Sequence, residues 1–122
     1  MKHNPEFLAL VEDAQSRVEE INIVQLNEKL QNNDQFYLVD VREDNEWQRG
    51  RIPKAIHMSK GVIERDIEKI IVDKRATIVL YCGGGFRSAL ASDAIQKMGY
   101  TSVYSLQGGF GSWFSADLPV SY

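Results

Sequence analysis

The sequence predicts an α/β fold: a mostly parallel five-stranded sheet with helices on both faces, giving three layers. Three observations carry this expectation. The runs Phe36-Tyr37-Leu38-Val39-Asp40-Val41 and Thr77-Ile78-Val79-Leu80-Tyr81 are apolar almost without alternation, as in strands covered on both faces. Short strand candidates alternate along the chain with segments of helical period. The run that ends at Tyr81 passes at once through a glycine turn into a helix, the kind of junction where open α/β sheets gather ligands. The expected organisation is an N-terminal helix over residues 1–19 packed on a domain spanning residues 20–122.

Asn4, Pro5 and Glu6 open the first helix: a capping residue, proline at the first helical position and an acid in the first turn. Phe7, Leu10, Val11, Ala14 and Val18 follow at helical steps, so the helix is expected to reach about Val18 and to cover the body of the domain. Glu20 to Asn22 is a short strand candidate. Asn22 caps a second helix with Ile23, Leu26 and Leu30 inside, and Asn32-Asn33-Asp34 turns the chain into the strand Phe36–Val41. Asp44 to Arg49 reads as a short helix stopped by Gly50, and Ala55-Ile56-His57-Met58 as a short strand. Ser59 is the expected cap of a helix with Ile63, Ile67, Ile70 and Ile71 inside and its charged residues in solvent. After Thr77–Tyr81, the segment Ser88 to Met98 is helical, with Gly99 just past its end. Thr101 to Leu106 is the last strand, Gly108-Gly109 a turn, and Phe110 to Phe114 a final helix with Trp113 in the core.

Composition narrows the function. A chain of 122 residues makes one domain and can bury roughly two-thirds of its unfolded surface without disulfides or metals. A net charge of −3 and the lack of a basic stripe argue against a nucleic-acid partner. No run approaches membrane-spanning length, and Met1 to Glu6 carries no apolar signal core, so no membrane partner is expected. The single cysteine forms no internal disulfide, which fits a reducing, cytoplasmic setting. His3, His57 and one cysteine do not make a metal-ligand set, and neither metal nor cofactor is expected.

The chemistry concentrates in Cys82-Gly83-Gly84-Gly85-Phe86-Arg87-Ser88. A lone cysteine is usually a small buried hydrophobe, and a glycine triplet is often only a loop. Here a strand delivers the thiol into glycines, an arginine and a helix N-terminus in immediate succession. Peptide N–H groups of such a turn lack intrahelical partners and can converge on one point. The helix end carries about half a positive charge, and helix N-termini and neighbouring cations favour thiolates. Cys82 is therefore the candidate nucleophile. Gly83, Gly84, Gly85, Phe86, Arg87 and Ser88 are the candidate substrate-binding residues, with the Arg87 fork suited to an oxyanion. His57 reads as a packed strand-end residue rather than a proton shuttle.

This loop resembles the active-site loop of single-domain rhodaneses, the thiosulfate sulfurtransferase family. Leu38-Val39-Asp40-Val41-Arg42-Glu43, Glu46-Trp47 and Gly50-Arg51-Ile52-Pro53-Lys54-Ala55 resemble the family's first signature. Gly99-Tyr100, Val103, Leu106, Gly108-Gly109, Trp113 and Leu118-Pro119-Val120 resemble its C-terminal segment. The resemblance implies a rhodanese-like three-layer sandwich, with Asp40 and Arg42 supporting the structure near the site. Arg51 stands where the family commonly has histidine, and Lys54 where it commonly has glycine; both changes bear on local packing rather than on the cysteine loop.

The implied activity is transfer of sulfane sulfur from thiosulfate or a similar small sulfur-containing anion to a thiophilic acceptor, through a Cys82 persulfide. Cyanide serves as acceptor in vitro, and a thiol or a protein is the expected acceptor in the cell. Two alternatives stand beside it. A cysteine phosphatase or arsenate reductase uses a similar cradle, but its signature has one more residue between cysteine and arginine than Gly83 to Phe86 supplies, and Tyr81 precedes the cysteine here where a histidine would be expected. A persulfide relay or binding module for a protein partner would keep the same residues.

Overall fold

A computed structural model describes residues 3–122. In it the run Thr77–Tyr81 is the middle strand of a five-stranded sheet, and every strand pairing in that sheet is parallel. The elements in chain order are α1 (Pro5–Gln15), β1 (Glu19–Ile21), α2 (Ile23–Gln31), β2 (Tyr37–Asp40), α3 (Asp44–Gln48), β3 (Ile56–His57), α4 (Ile63–Ile70), β4 (Thr77–Tyr81), α5 (Phe86–Lys97), β5 (Ser102–Leu106) and α6 (Gly109–Ser115). The strand order is β1-β5-β4-β2-β3. The connection from β2 runs outward to β3 and that from β4 runs to β5 on the opposite side, so the crevice of an open parallel sheet lies at the carboxyl ends of β2 and β4.

The lack of alternation in β4 has a direct cause. Ile78 and Leu80, with Cys82 just beyond, point into a core shared with Ile63, Ile67 and Ile71 beneath α4 and with Ala91 and Ile95 of α5. Val79 and Tyr81 point the other way, against Leu26 of α2 and Trp113 of α6. Both faces of the strand are thus buried, and a two-residue period distributes one apolar run between two layers.

Element ends differ from the sequence-based expectation where a neighbouring requirement is stronger. Helix α1 stops at Gln15, where the Ser16 hydroxyl donates to the Asp13 carbonyl, and Val18 packs from the following turn. Leu10 does not join the inner stripe. At about 100° per residue it lies at the edge of the stripe of Phe7, Val11 and Ala14, outside the covered face, and it is 61% exposed. Asn22 is not strand but the cap of α2, in a capping box with Gln25. Ser59 does not cap α4; its carbonyl accepts a turn bond from Val62, which holds the cap position. Ile70 is likewise exposed, because Ile71, past the end of α4, fills the inner position.

The two departures from the family pattern have local accounts. Lys54 adopts φ +73°, a conformation natural to glycine, and its ammonium donates to Asn33 Oδ1 at 3.1 Å. The Arg51 guanidinium lies 4.3 Å over the Trp47 ring and donates to the Trp47 carbonyl. Among the described residues, no helix is long and apolar enough to cross a membrane.

Candidate active site

The chain leaves β4 at Tyr81, and the strand's alternation sends the Cys82 side chain toward α4 and α5. Cys82 is 1% exposed, and it forms the floor of an open cleft of about 930 Å³ walled by His3, Phe7, Leu8, Phe86 and Arg87. The sulfur is surrounded by donors rather than hydrocarbon alone. The Gly85 and Ser88 N–H groups donate to Sγ at 3.1 and 3.4 Å, and the thiol donates to Ser88 Oγ at 3.6 Å. Among the described residues, the amides of Gly83, Gly84, Phe86 and Arg87 have no protein acceptor, so the loop carries further free donors beside the two that contact the sulfur.

One glycine of the triplet is required by the backbone. Gly85 holds φ +101° and caps α5, so the helix starts at Phe86, two residues before the expected Ser88. A left-handed cap turns the chain sharply enough to bring the Ser88 amide of α5 onto the sulfur. Ser88 then locks the turn from inside: its hydroxyl donates to the Gly85 carbonyl at 3.2 Å and lies 2.8 Å from the hydroxyl of fully buried Ser105 on β5.

A second glycine turn, between β5 and α6, supports the loop from behind. Phe110 N–H donates to the Cys82 carbonyl at 2.7 Å, and Gly111 N–H to the Gly83 carbonyl at 2.9 Å. Gly109, at φ +55°, packs directly on the carbonyls of Cys82 and Gly83. The sequence predicts a turn at Gly108-Gly109 but no part for it in the site. The signal was present in the paired glycines at the carboxyl end of a strand, but only the sheet order places β5 beside β4.

Arg87 is not a solitary cation. It donates from Nη1 and Nη2 to the two carboxylate oxygens of Glu46 at 2.7 and 3.1 Å, closing the crevice between the β2 and β4 ends. The hydrogen bonds it donates to Glu46 raise the Arg87 pKa, against the opposing pull of burial. The Arg87 hydrogen bonds in turn hold the Glu46 carboxyl below its ordinary value. A carboxylate with a depressed folded pKa contributes stability above its unfolded pKa and loses it as pH falls through the folded one. Thermal unfolding of wild type and Glu46→Gln should therefore differ by a constant amount from neutrality down to about the ordinary value of 4.5, with the difference shrinking only below it. A difference that vanishes above that pH would contradict the pairing.

Asp40 and Arg42 do not touch the sulfur. Asp40 is fully buried, and Arg42 donates to both of its oxygens at 2.7–3.1 Å and to the Gly50 carbonyl at 2.7 Å. Burial works against the Arg42 charge, but the Asp40 hydrogen bonds and charge outweigh it and its pKa is raised. The Arg42 guanidinium also lies 4.3 Å over the Phe110 ring, whose N–H holds the Cys82 carbonyl. The pair thus braces the second turn. His57 stacks on Trp47 with ring centroids 4.9 Å apart, and its Nε2 lies 2.8 Å from the Arg42 carbonyl, away from the cysteine. The structure also brings residues to the site that the sequence reading had not placed there: Glu46, Ser105, the Gly109–Gly111 turn, and the cleft wall of His3, Phe7 and Leu8. These come from four separate segments, and no local spacing announces them.

Residues 23–116 match the family model described as Rhodanese-like domain. The chain is 34% identical to YtwF of Bacillus subtilis over 102 residues, covering 84% of this chain and 96% of that protein. It is 32% identical to the Coxiella burnetii thiosulfate sulfurtransferase GlpE over 84 residues, 69% of this chain and 76% of that one. Among solved structures, a Rhodopseudomonas palustris protein of unknown function, described as a possible tyrosine phosphatase, superposes with a TM-score of 0.89 at 28% identity, covering 99% and 98% of the two chains.

Proposed function

The chain belongs to the rhodanese-like family of sulfurtransferases, and on that footing we propose that it moves sulfane sulfur from thiosulfate or a similar donor to a thiophilic acceptor through a persulfide on Cys82. The observation that carries this reading is the sulfur accepting from the Gly85 and Ser88 amides in a loop whose other amides are unpaired among the described residues. The thiolate attacks the outer sulfur of thiosulfate; the new S–S bond forms as the old one breaks, and its electron pair leaves with sulfite. The outer sulfur of the persulfide is then an anion inside a cradle of peptide N–H groups, as covalent catalysis with preorganised donors requires. Cyanide attacks that outer sulfur in turn and leaves as thiocyanate, which restores the thiolate. In the cell the acceptor is a thiol, small or on a protein, and the free cysteine fits a reducing cytoplasm.

The description of the Rhodopseudomonas protein favours weighing a phosphatase as the second reading. Against it, the loop from Cys82 to Arg87 is one residue shorter than a phosphate cradle, and Glu46 occupies part of the arginine fork. Thiosulfate with cyanide should turn over far faster than p-nitrophenyl phosphate; the opposite ranking would reverse the assignment.

Arg87 is the donor-binding cation of this reading. Pairing with Glu46 leaves further N–H donors on its guanidinium for an anion. Arg87→Ala removes them and turns the Glu46 carboxylate into an unpaired repulsive charge. The expected loss in kcat/KM for thiosulfate is about 10- to 100-fold, the worth of one charge-assisted contact. Arg42→Lys keeps a charge beside Asp40 but gives up the fork and the stacking on Phe110, so its cost should fall mainly on stability, with a smaller loss in kcat/KM than Arg87→Ala. Comparable losses in the two variants would mean that Arg87 does not bind the donor.

A further inference from the structure

The outer wall of the Cys82 cleft is built by residues that precede the matched family segment, which begins at residue 23. His3, Phe7 and Leu8 face Phe86 of the cysteine loop across its mouth. The His3 ring meets Phe86 edge-on at 5.0 Å and Phe7 at 5.3 Å, and Phe7 and Phe86 lie 6.3 Å apart, so three rings form one aromatic surface. The helix that carries this wall is anchored. Val11 and Ala14 are each 2% exposed, Arg17 donates to both oxygens of Asp93 on α5 at 2.9 Å, and Gln96 donates to the Arg17 carbonyl at 3.0 Å.

Size and charge both disfavour thiosulfate as the ligand this cleft is shaped for. An anion that small leaves most of about 930 Å³ empty. Among the described residues of the lining, Arg87 is the one guanidinium, and it is already paired with Glu46, so a dianion meets a largely neutralised cation there. A single charge on an apolar body would suit both the muted arginine and the aromatic wall.

We propose that the preferred donor is an organic sulfane compound, a monoanion R–SO₂–S⁻ or R–S–S⁻ whose apolar group R packs against Phe7, Leu8 and Phe86, with α1 setting that preference. The proposal rests on the sulfur-transfer reading above. The Cys82 thiolate attacks the outer sulfur and forms an S–S bond. The bond from that sulfur to the rest of the donor breaks, and its electron pair departs as R–SO₂⁻ or R–S⁻. Charge is conserved, and no outside oxidant, reductant or proton is needed.

The test uses the whole chain with cyanide as acceptor and three donors: thiosulfate, methanethiosulfonate and benzenethiosulfonate. The last two carry the same charge and the same type of leaving group, so their kcat/KM ratio isolates the contribution of R. Benzenethiosulfonate should exceed methanethiosulfonate by about tenfold or more, the scale of discrimination that apolar pockets reach. That ratio should fall severalfold or more in Phe7→Ala and, to a lesser degree, in Leu8→Ala, whose 37% exposed side chain can be removed without unfolding the helix. A wild-type ratio near one, or a ratio unchanged within about twofold in both folded variants, overturns the inference while leaving sulfur transfer intact. If none of the three donors loads sulfur onto Cys82, sulfur transfer itself fails and the inference falls with it.

Discussion

Cys82→Ser is expected to lower kcat/KM for sulfur transfer by about four orders of magnitude or more, the usual scale for loss of a covalent nucleophile. A serine hydroxyl is not ionised near neutrality, and an oxygen at this position cannot hold a sulfur atom in a persulfide that is readily passed on. The substitution should leave the fold in place. The neighbours of Sγ are the Gly85 N–H, the Ser88 N–H and the Ser88 hydroxyl, and each can hydrogen-bond a hydroxyl in turn. Thiocyanate production should therefore disappear in a protein whose thermal unfolding is close to that of wild type. A folded variant that keeps a tenth of the wild-type rate would show that another group carries the sulfur.

Gly109→Ala is expected to cost about 2–4 kcal/mol of stability and much of the activity, from backbone strain plus a collision that cannot relax locally. The glycine holds φ +55°, and an added Cβ would sit against the Cys82 carbonyl oxygen and 2.8 Å from the Gly83 carbonyl carbon. Both obstacles are backbone, the carbonyls of Cys82 and Gly83, on the two successive peptides beneath the nucleophile. Relief means sliding α6 away from the cysteine loop, which weakens the bonds from Phe110 and Gly111 to the Cys82 and Gly83 carbonyls. Gly84→Ala is the matched control, because a Cβ there meets nothing within 4 Å; its stability should stay within about 1 kcal/mol of wild type. Denaturant unfolding of the two variants separates them, and equal stabilities would contradict the buttressing role of the second turn.

How much was legible depends on whether the determining contacts are local. Phe36–Val41 and Thr77–Tyr81 announce a doubly covered parallel sheet because burial on two faces removes alternation, and the sheet follows. Asn22 with Gln25 announces a helix start within four residues. Cys82, the glycines and Arg87 stand together in the chain, and their geometry is local to one turn. Leu10 and Ile70 misled because a helix stripe read from spacing alone does not say how wide the covered face is. Ser59 resembled a cap, but the chain runs through one more turn before α4 begins. Glu46, Ser105 and Gly109 entered the site only through the strand order β5-β4-β2, which sets three distant segments side by side. The aromatic wall of His3 and Phe7 depends on where α1 docks along α5, a tertiary fact with no sequence period of its own.

The most direct measurement is the intact mass of the protein after incubation with thiosulfate or a thiosulfonate and removal of excess donor. The account predicts a gain equal to one sulfur atom in the wild type, its loss on addition of cyanide with thiocyanate released in equal amount, and no gain in Cys82→Ser. A wild-type mass that stays unchanged with every sulfane donor, or a sulfur atom retained by the serine variant, would contradict it.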